Sequence, residues 1–125
     1  MIFLDTSLLV DALTGKKASS DALHARLMRG DSMALSSIVL YEWLRGPRSA
    51  QEIAVQDFLF PAPEIVPFEA QDAAVAAQLY RALRRARDRE ADLAIAAVAL
   101  RRQAALWTLN AADFRDIPGL QLWQP

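Results

Sequence analysis

The sequence contains no cysteine and only one histidine, His24. Without cysteine the chain can form neither a disulfide framework nor a thiolate metal site, which suits a reducing compartment. A single histidine excludes multi-histidine zinc chemistry, and no second histidine is available for a nucleophilic triad. Because His24 stands between polar neighbours in a helical pattern, we interpret it as a surface residue rather than a ligand.

Lysine is nearly absent too, and no apolar run approaches the ~20 residues that a membrane span requires. The two lysines, Lys16 and Lys17, contrast with twelve arginines, five of which fall between Arg81 and Arg89. Because the formal net charge is −1, any binding of a polyanion must depend on a local basic patch. Asp5 interrupts the first apolar segment too early for a signal peptide. We therefore expect a cytoplasmic protein without a membrane anchor.

At 125 residues and 54% hydrophobic content, the chain is expected to form one domain, residues 1–125, with its own core. Short apolar strands are predicted in five segments, at residues 2–4, 33–35, 64–67, 105–108 and 120–123. Helical patterns fill the intervals, and the longest predicted helix covers residues 69–85. This alternation predicts an α/β fold with a parallel sheet that helices cover on both faces.

The most apolar of the predicted helices begins beside a carboxylate. Asp92 is followed by eight apolar residues, 93–100, and a helix that is apolar all round is typical of the middle of a domain. An unpaired charge is costly to bury, although the helix dipole favours an anion at this end by about 0.3–1 kcal/mol. Asp92 alone could therefore be an ordinary first-turn residue, and a site is indicated only if other acids converge on it.

Three other acids occupy comparable positions. Asp5 and Asp113 follow predicted strands, and Glu42 interrupts an apolar helix after the second strand. Each has a structural alternative: Asp5 as a helix N-cap, Asp113 in a capping box with Asn110, and Glu42 in an ion pair with Arg45 or Arg48.

In an open parallel sheet these acids can meet beyond the carboxyl ends of the strands, where ligands bind. Carboxylates gathered there would raise one another's pKa, and a divalent cation removes that conflict. Oxygen ligands without histidine or cysteine favour Mg²⁺ or Mn²⁺.

Such a pocket suits hydrolysis of a phosphodiester, because one metal ion can activate water while a second stabilises the leaving oxygen. Arginines would then hold the flanking phosphates, and the candidates are Arg81, Arg84, Arg85, Arg87 and Arg89. The first three are spaced to share one face of a helix. The alternative is a solvated face whose arginines pair with Asp88 and Glu90.

Four segments taken together resemble the motifs of the PIN-domain ribonucleases, and above all the VapC-type toxins of bacterial and archaeal toxin–antitoxin pairs. They are residues 1–7 (MIFLDTS), 41–46 (YEWLRG), 92–97 (DLAIAA) and 108–114 (TLNAADF), the last followed by IPGL at 117–120. The resemblance implies a three-layer α/β/α sandwich with a central, mainly parallel sheet of four to five strands. It also implies a Mg²⁺- or Mn²⁺-dependent endoribonuclease that a cognate antitoxin blocks by filling the groove.

By position, the resemblance makes Asp5, Glu42, Asp92 and Asp113 the catalytic and metal-binding residues. Thr6, Ser7 and Asn110 would be polar helpers that orient water or metal. The chain departs from the family's pattern in two places. The segment before Asp92 lacks the glycine common in these toxins and carries Glu90, which could join the metal ligands. Asn110 stands where many relatives have an acid.

The resemblance also implies a homodimer, and Tyr41, Trp43 and Leu44 are its candidate contacts, although burial within the monomer would explain them as well. A non-catalytic PIN-like module that binds RNA or a protein is the alternative function, but such a module would not need Asp5, Glu42 and Asp92. A phosphoacceptor receiver domain would need a lysine near its last strand and paired acids early in the chain, and neither is present. Neither GxGxxG nor GxxxxGK[ST] occurs, which argues against a nucleotide-binding enzyme.

Overall fold

The computed structural model describes residues 1–125 and contains a parallel sheet of four strands in the order β2-β1-β3-β4. The strands are β1 (Ile2–Leu4), β2 (Met33–Ala34), β3 (Ala105–Trp107) and β4 (Gln121–Leu122). The helices are α1 (Thr6–Leu13), α2 (Lys17–Met28), α3 (Ser37–Arg45), α4 (Ala50–Leu59), α5 (Ala70–Ala82) and α6 (Glu90–Arg101). The predicted α/β class, with a parallel sheet flanked by helices, is confirmed.

The core is built on the central strands and on α6. All three residues of β1 are buried, and Phe3 pairs with Ala34 of β2 on one side and with Leu106 of β3 on the other. Helix α6 packs against α3, α5 and β3, and its residues 95–99 are all buried, as the apolar run predicted. No helix combines the length and the apolar composition needed to cross a membrane.

The strand order creates a switch point between β1 and β3. From β1 the chain crosses to β2 at one edge of the sheet, and from β3 it continues to β4 at the other. In open parallel sheets, ligands bind beyond the carboxyl ends of the two strands where the connections diverge. Asp5 and Thr108 directly follow these two strands, so this end of the sheet is the candidate site.

The prediction of a strand at residues 64–67 is wrong. Residues Ala62–Glu64 form a 3-10 turn, and only Val66 makes a bridge, to Ser36. The Val66 N–H donates to Leu35 O, and Val66 O accepts from the Ser37 N–H, both at 2.9 Å. Pro67 has no N–H to extend the ladder, so the pairing stops after one residue.

The long helix predicted at residues 69–85 ends early, because α5 stops at Ala82. Leu83 is extended, and Arg85 and Asp88 have positive φ angles of 56° and 68°. Only Arg81 of the three spaced arginines therefore lies on the helix, and the predicted shared face does not form.

One further local prediction is confirmed and one is wrong. In α2, His24 is exposed, as predicted. Asn110 precedes a 3-10 turn (Ala111–Asp113) but makes no side-chain cap, so the predicted capping box is absent.

A buried carboxylate joins the start of α5 to the end of α6. Asp72 Oδ1 accepts hydrogen bonds from Arg101 Nε at 2.6 Å and Arg102 Nη1 at 2.8 Å, and the Glu69 N–H donates to Asp72 Oδ2 at 2.8 Å. Burial alone would raise the pKa of Asp72, but the hydrogen bonds from Arg102 and Arg101 outweigh it and lower this pKa to about 2. The two helices are thereby fastened at the end of α6 opposite Asp92.

Candidate active site

Asp5 is positioned by the junction of β1 and α1. Its N–H donates to Trp107 O of β3 at 2.9 Å, and only 4% of the residue is exposed. Although Asp5 occupies the N-cap position of α1, its carboxylate makes no cap hydrogen bond. Its Oδ2 instead accepts from Ser7 Oγ at 2.8 Å and from Thr108 Oγ1 at 2.6 Å. The N-cap alternative for this side chain is therefore wrong.

A small hydroxyl network extends from Asp5 into the segment after β3. Ser7 Oγ lies 3.2 Å from Thr108 Oγ1 and accepts from the Leu109 N–H at 3.1 Å. Thr108 Oγ1 also accepts from the Asn110 N–H at 3.0 Å. Asn110 thus joins the network through its backbone, not through the side chain that was predicted as a polar helper. Thr108 had no predicted role, although its position directly after a strand was a usable signal.

Glu42 faces the same end of the sheet from α3. Thr6 Oγ1 donates to Glu42 Oε1 at 2.5 Å, and Arg45 Nη2 lies 3.4 Å from Glu42 Oε2. The pairing predicted with Arg45 is confirmed. Arg48 makes no such pair, because its guanidinium lies over the Trp43 ring, 4.4 Å from the centroid.

Asp92 is the acid most affected by its surroundings. It lies in the first turn of α6 and is partly buried. Burial and the negative charges of Asp5, Asp113 and Glu42 raise its pKa to about 6, against a smaller lowering by Arg89. Asp92 therefore lies within the electrostatic field of the other three acids. No three of the four acids lie close enough together to surround one metal ion as they stand.

Asp113 is exposed on the 3-10 turn after β3, and Arg89 holds this turn from the start of α6. Arg89 Nη2 donates to Asp113 O at 2.8 Å, while Nη1 and Nη2 contact the two carboxylate oxygens of Asp116 at 2.8 and 2.7 Å. Arg89 was predicted to bind RNA, but its guanidinium is engaged within the chain. No pattern in the sequence pointed to Asp116, which lies 27 residues away.

The other four arginines that were predicted to bind RNA are exposed and form no ion pair: Arg81, Arg84, Arg85 and Arg87. The alternative, in which they pair with Asp88 and Glu90, is therefore wrong. Glu90 lines a pocket against α5 that includes Tyr80 and Leu93. The structure gives no sign that it joins the acids around Asp92.

The predicted dimer contacts separate into two groups. Trp43 is fully buried, so its assignment to an interface between subunits is wrong. Tyr41 and Leu44 are 62% and 48% exposed. Leu44 also lines an apolar cavity of about 420 Å³ between α3 and α4, and none of the four acids lines it.

The chemistry of the acidic cluster fits a hard divalent cation. Its charged groups are all carboxylates, and burial together with the negative charges of the other three raises the pKa of Asp92. Mg²⁺ usually keeps several waters and is bound by one or two carboxylates, so a hydrated ion needs fewer than three of these groups in direct contact.

The sequence matches the model of the PIN domain over residues 2–120, a range that includes all four acids. The chain is 32% identical over 123 residues to ribonuclease VapC19 of Mycobacterium tuberculosis, covering 97% of this chain and 98% of that protein. Similar folds occur in the crystal structure of DNA-bound VapBC from Salmonella typhimurium, with a TM-score of 0.76, 24% identity and coverage of 98% of this chain and 96% of that chain. A toxin-antitoxin complex from Klebsiella pneumoniae gives a TM-score of 0.72 and 24% identity, and the match covers 96% of this chain and 95% of that chain.

Proposed function

The chain belongs to the PIN domain family, and on this basis we propose that it is a metal-dependent endoribonuclease that hydrolyses RNA phosphodiester bonds and that a cognate antitoxin neutralises. The observation that carries the proposal is the position of Asp92 beside the switch point of the sheet, where its burial and the negative charges of Asp5, Asp113 and Glu42 raise its pKa. A perturbed carboxylate at such a position is typical of a catalytic site. The near full-length similarity to a protein named a ribonuclease supports the same reaction.

Metal dependence is general among VapC nucleases of this family, and we propose Mg²⁺ or Mn²⁺ as the ion. The proposed ligands are Asp5, Glu42, Asp92 and Asp113. When bound, a divalent ion at such a site lowers the pKa of a coordinated water and stabilises charge on the leaving oxygen. Because all the proposed ligands are oxygens, the site favours these hard ions over zinc or copper.

The hydroxyl side chains orient the proposed ligands. Both hydrogen bonds to the Asp5 carboxylate fall on Oδ2, which leaves Oδ1 available to a cation. Thr6 likewise holds Glu42 through Oε1. Partners of this kind commonly change metal affinity 10–100-fold when they are removed. Thr6, Ser7 and Thr108 are therefore proposed as the polar helpers of the site.

RNA is proposed to approach along the exposed arginines that precede α6. Arg84, Arg85 and Arg87 lie on the segment that leads into Asp92, and Arg81 lies on the last turn of α5. Arginine binds phosphate through two parallel N–H donors, so these side chains can hold the RNA backbone on either side of the cut. They form the local basic patch that a chain of net charge −1 requires.

An antitoxin protein is the proposed partner, because solved structures of the same fold are toxin–antitoxin complexes. A homodimer that uses Tyr41 and Leu44 stays a prediction. The cytoplasm is the proposed location, since the RNA substrate is made and used there.

Incubation of the purified protein with single-stranded RNA and Mn²⁺ tests the proposal. We expect cleavage by the wild type, its loss on chelation of the metal, and at least about 100-fold slower cleavage by Asp5→Ala, which removes a carboxylate ligand. Equal cleavage by Asp5→Ala would identify a contaminating nuclease. RNA binding without cleavage would instead support the non-catalytic binding module.

A further inference from the structure

Arg89 connects the two chain segments that carry Asp92 and Asp113. It is the residue before α6 and lies three positions ahead of Asp92. Its guanidinium reaches the connection between β3 and β4, where it contacts the Asp113 carbonyl and both oxygens of the Asp116 carboxylate. One side chain thereby fixes the start of the central helix against the turn of the fourth acid.

The contacts of Arg89 distinguish it from the neighbouring arginines. Its side chain is only 18% exposed, and its two terminal nitrogens make three hydrogen bonds of 2.7–2.8 Å within the chain. Such a two-pronged pairing with a carboxylate is directional as well as strong. A guanidinium held by three such hydrogen bonds has few free N–H donors left to bind a phosphate.

We propose that Arg89 and Asp116 form a positioning pair, which sets the spacing between Asp92 and Asp113 and so determines how tightly the acidic cluster holds a divalent cation. This inference rests on the proposed function, because it concerns the same cluster. Neither residue is proposed to touch the metal or the RNA. Their effect is transmitted through the Asp113 carbonyl and the start of α6.

The direction in which the Mn²⁺ affinity changes distinguishes positioning by Arg89 from the effect of its charge alone. Arg89 is a cation close to Asp92 and Asp113, and its charge opposes the rise in the pKa of Asp92. If charge alone mattered, neutralising Arg89 would strengthen the binding of Mn²⁺. If Arg89 acts by positioning, the same change weakens the binding of Mn²⁺.

The experiment measures the affinity of the RNA-free protein for Mn²⁺ by calorimetry, in the wild type, Arg89→Met, Arg89→Lys, Asp116→Asn and the double variant Arg89→Met/Asp116→Asn. We expect each single variant to bind Mn²⁺ about 10-fold more weakly, a loss typical of groups that support metal ligands. Arg89→Lys retains the charge but loses the fork of donors, so it should lose affinity as Arg89→Met does. The double variant should lose about as much affinity as each single variant, because the pair acts as one unit.

Asp31→Asn is the matched control, because it removes one carboxylate of a surface ion pair, with Arg26, before β2 at the opposite end of the sheet. It should bind Mn²⁺ like the wild type. Thermal unfolding in chelator establishes that each variant is folded, and Arg89→Lys and Asp116→Asn suffice if Arg89→Met does not fold.

Wild-type affinity in the pair variants would overturn the inference, because the buried Phe114 and Ile117 would then hold the turn unaided. Tighter binding in Arg89→Met would overturn it in favour of electrostatics. Recovery of affinity in the double variant would overturn it as well. A wild type that binds no Mn²⁺ would count against the proposed function itself. Failure of the proposed function can thus be distinguished from failure of the inference about Arg89.

Discussion

Thr108 Oγ1 donates a hydrogen bond of 2.6 Å to Asp5 Oδ2, which joins the ends of β3 and β1 across 103 positions of the sequence. The same oxygen accepts from the Asn110 N–H, so the threonine also shapes the turn that leads to Asp113. A single hydroxyl therefore couples the acid at the end of β1 to the segment that carries the acid after β3.

Replacement of Thr108 by valine removes this hydroxyl while keeping the side chain's shape. We expect Asp5 to be less well oriented and the binding of Mn²⁺ to weaken about 10-fold or more, with a parallel loss of RNA cleavage. Calorimetry and a cleavage assay measure the two effects. Thr14→Val is the control, because the Thr14 hydroxyl bonds only Val10 O at the end of α1, and it should leave both unchanged. Normal metal binding by Thr108→Val would contradict the role given to this hydroxyl.

Replacement of Asp92 by asparagine should abolish cleavage and, without metal, stabilise the protein. The pKa of Asp92 is raised from 3.8 to about 6, so between about pH 4 and 6 the folded state holds more protons than the unfolded state. The carboxylate therefore destabilises the fold above pH 6, and this penalty disappears as the pH falls through 6 towards 4. After allowance for solvent screening, we expect Asp92→Asn to gain about 1–2 kcal/mol at pH 7.5 and almost nothing at pH 4.

Urea unfolding in chelator at the two pH values measures this difference in the free energy of unfolding. A variant that cleaves RNA normally would make Asp92 an ordinary first-turn residue. A variant that gains no stability at pH 7.5 would contradict the penalty that burial and the neighbouring acids place on the charged form of Asp92.

Replacement of both Arg84 and Arg85 by alanine should weaken the binding of RNA and flatten its dependence on salt. For single-stranded RNA, each phosphate that the protein no longer neutralises reduces the slope of log K against log salt by about 0.7. Titration of a fluorescent RNA at several salt concentrations measures that slope. Arg29→Ala, an exposed arginine near the start of β2 at the other end of the sheet, is the control. An unchanged slope in the double variant would indicate that these arginines do not contact RNA phosphates and belong to an ordinary solvated surface.

The contribution of Asp72 to stability should disappear in acid. Its pKa is lowered from 3.8 to about 2, so its stabilising effect is complete above about pH 4–5 and is lost as the pH falls through 2. After allowance for solvent screening, we expect Asp72→Asn to lose about 1–2 kcal/mol of unfolding free energy at pH 7 and the wild type to lose that advantage near pH 2. Urea unfolding across this range measures it, with the exposed Asp57→Asn as control. A constant difference between wild type and Asp72→Asn would show that the ion pairs with α6 contribute no pH dependence.

The local pattern of the sequence was sufficient to place two of the candidate acids, Asp5 at the end of β1 and Asp92 at the start of α6. Asp5 follows three apolar residues and precedes a helical pattern, and Asp92 opens an apolar run, so each position was defined by its neighbours. The structure adds what spacing cannot supply, namely the hydroxyl of Thr108 on Asp5. That hydrogen bond exists only after β1 and β3 have paired.

The arginine segment departs from its prediction for the same physical reason. Its residues are good helix formers and contain neither glycine nor proline, so nothing local signalled the end of α5 at Ala82. Leu83 is partly buried and Ala86 is buried, and bringing both against the core requires the chain to turn through the positive φ of Arg85. Tertiary packing overrides helix propensity here. It also delivers Arg89 to Asp116, a partner that no short-range pattern indicates.

The order of the four acids along the chain bears on how the protein is made. Asp5, Glu42, Asp92 and Asp113 leave the ribosome in that order, and β3, which pairs with β1 beside Asp5, emerges after most of the chain. A polypeptide released early therefore lacks part of the proposed ligand set, and its β1 has no β3 to pair with. We expect such fragments to be inactive, because the proposed acidic cluster is complete only when synthesis is nearly finished.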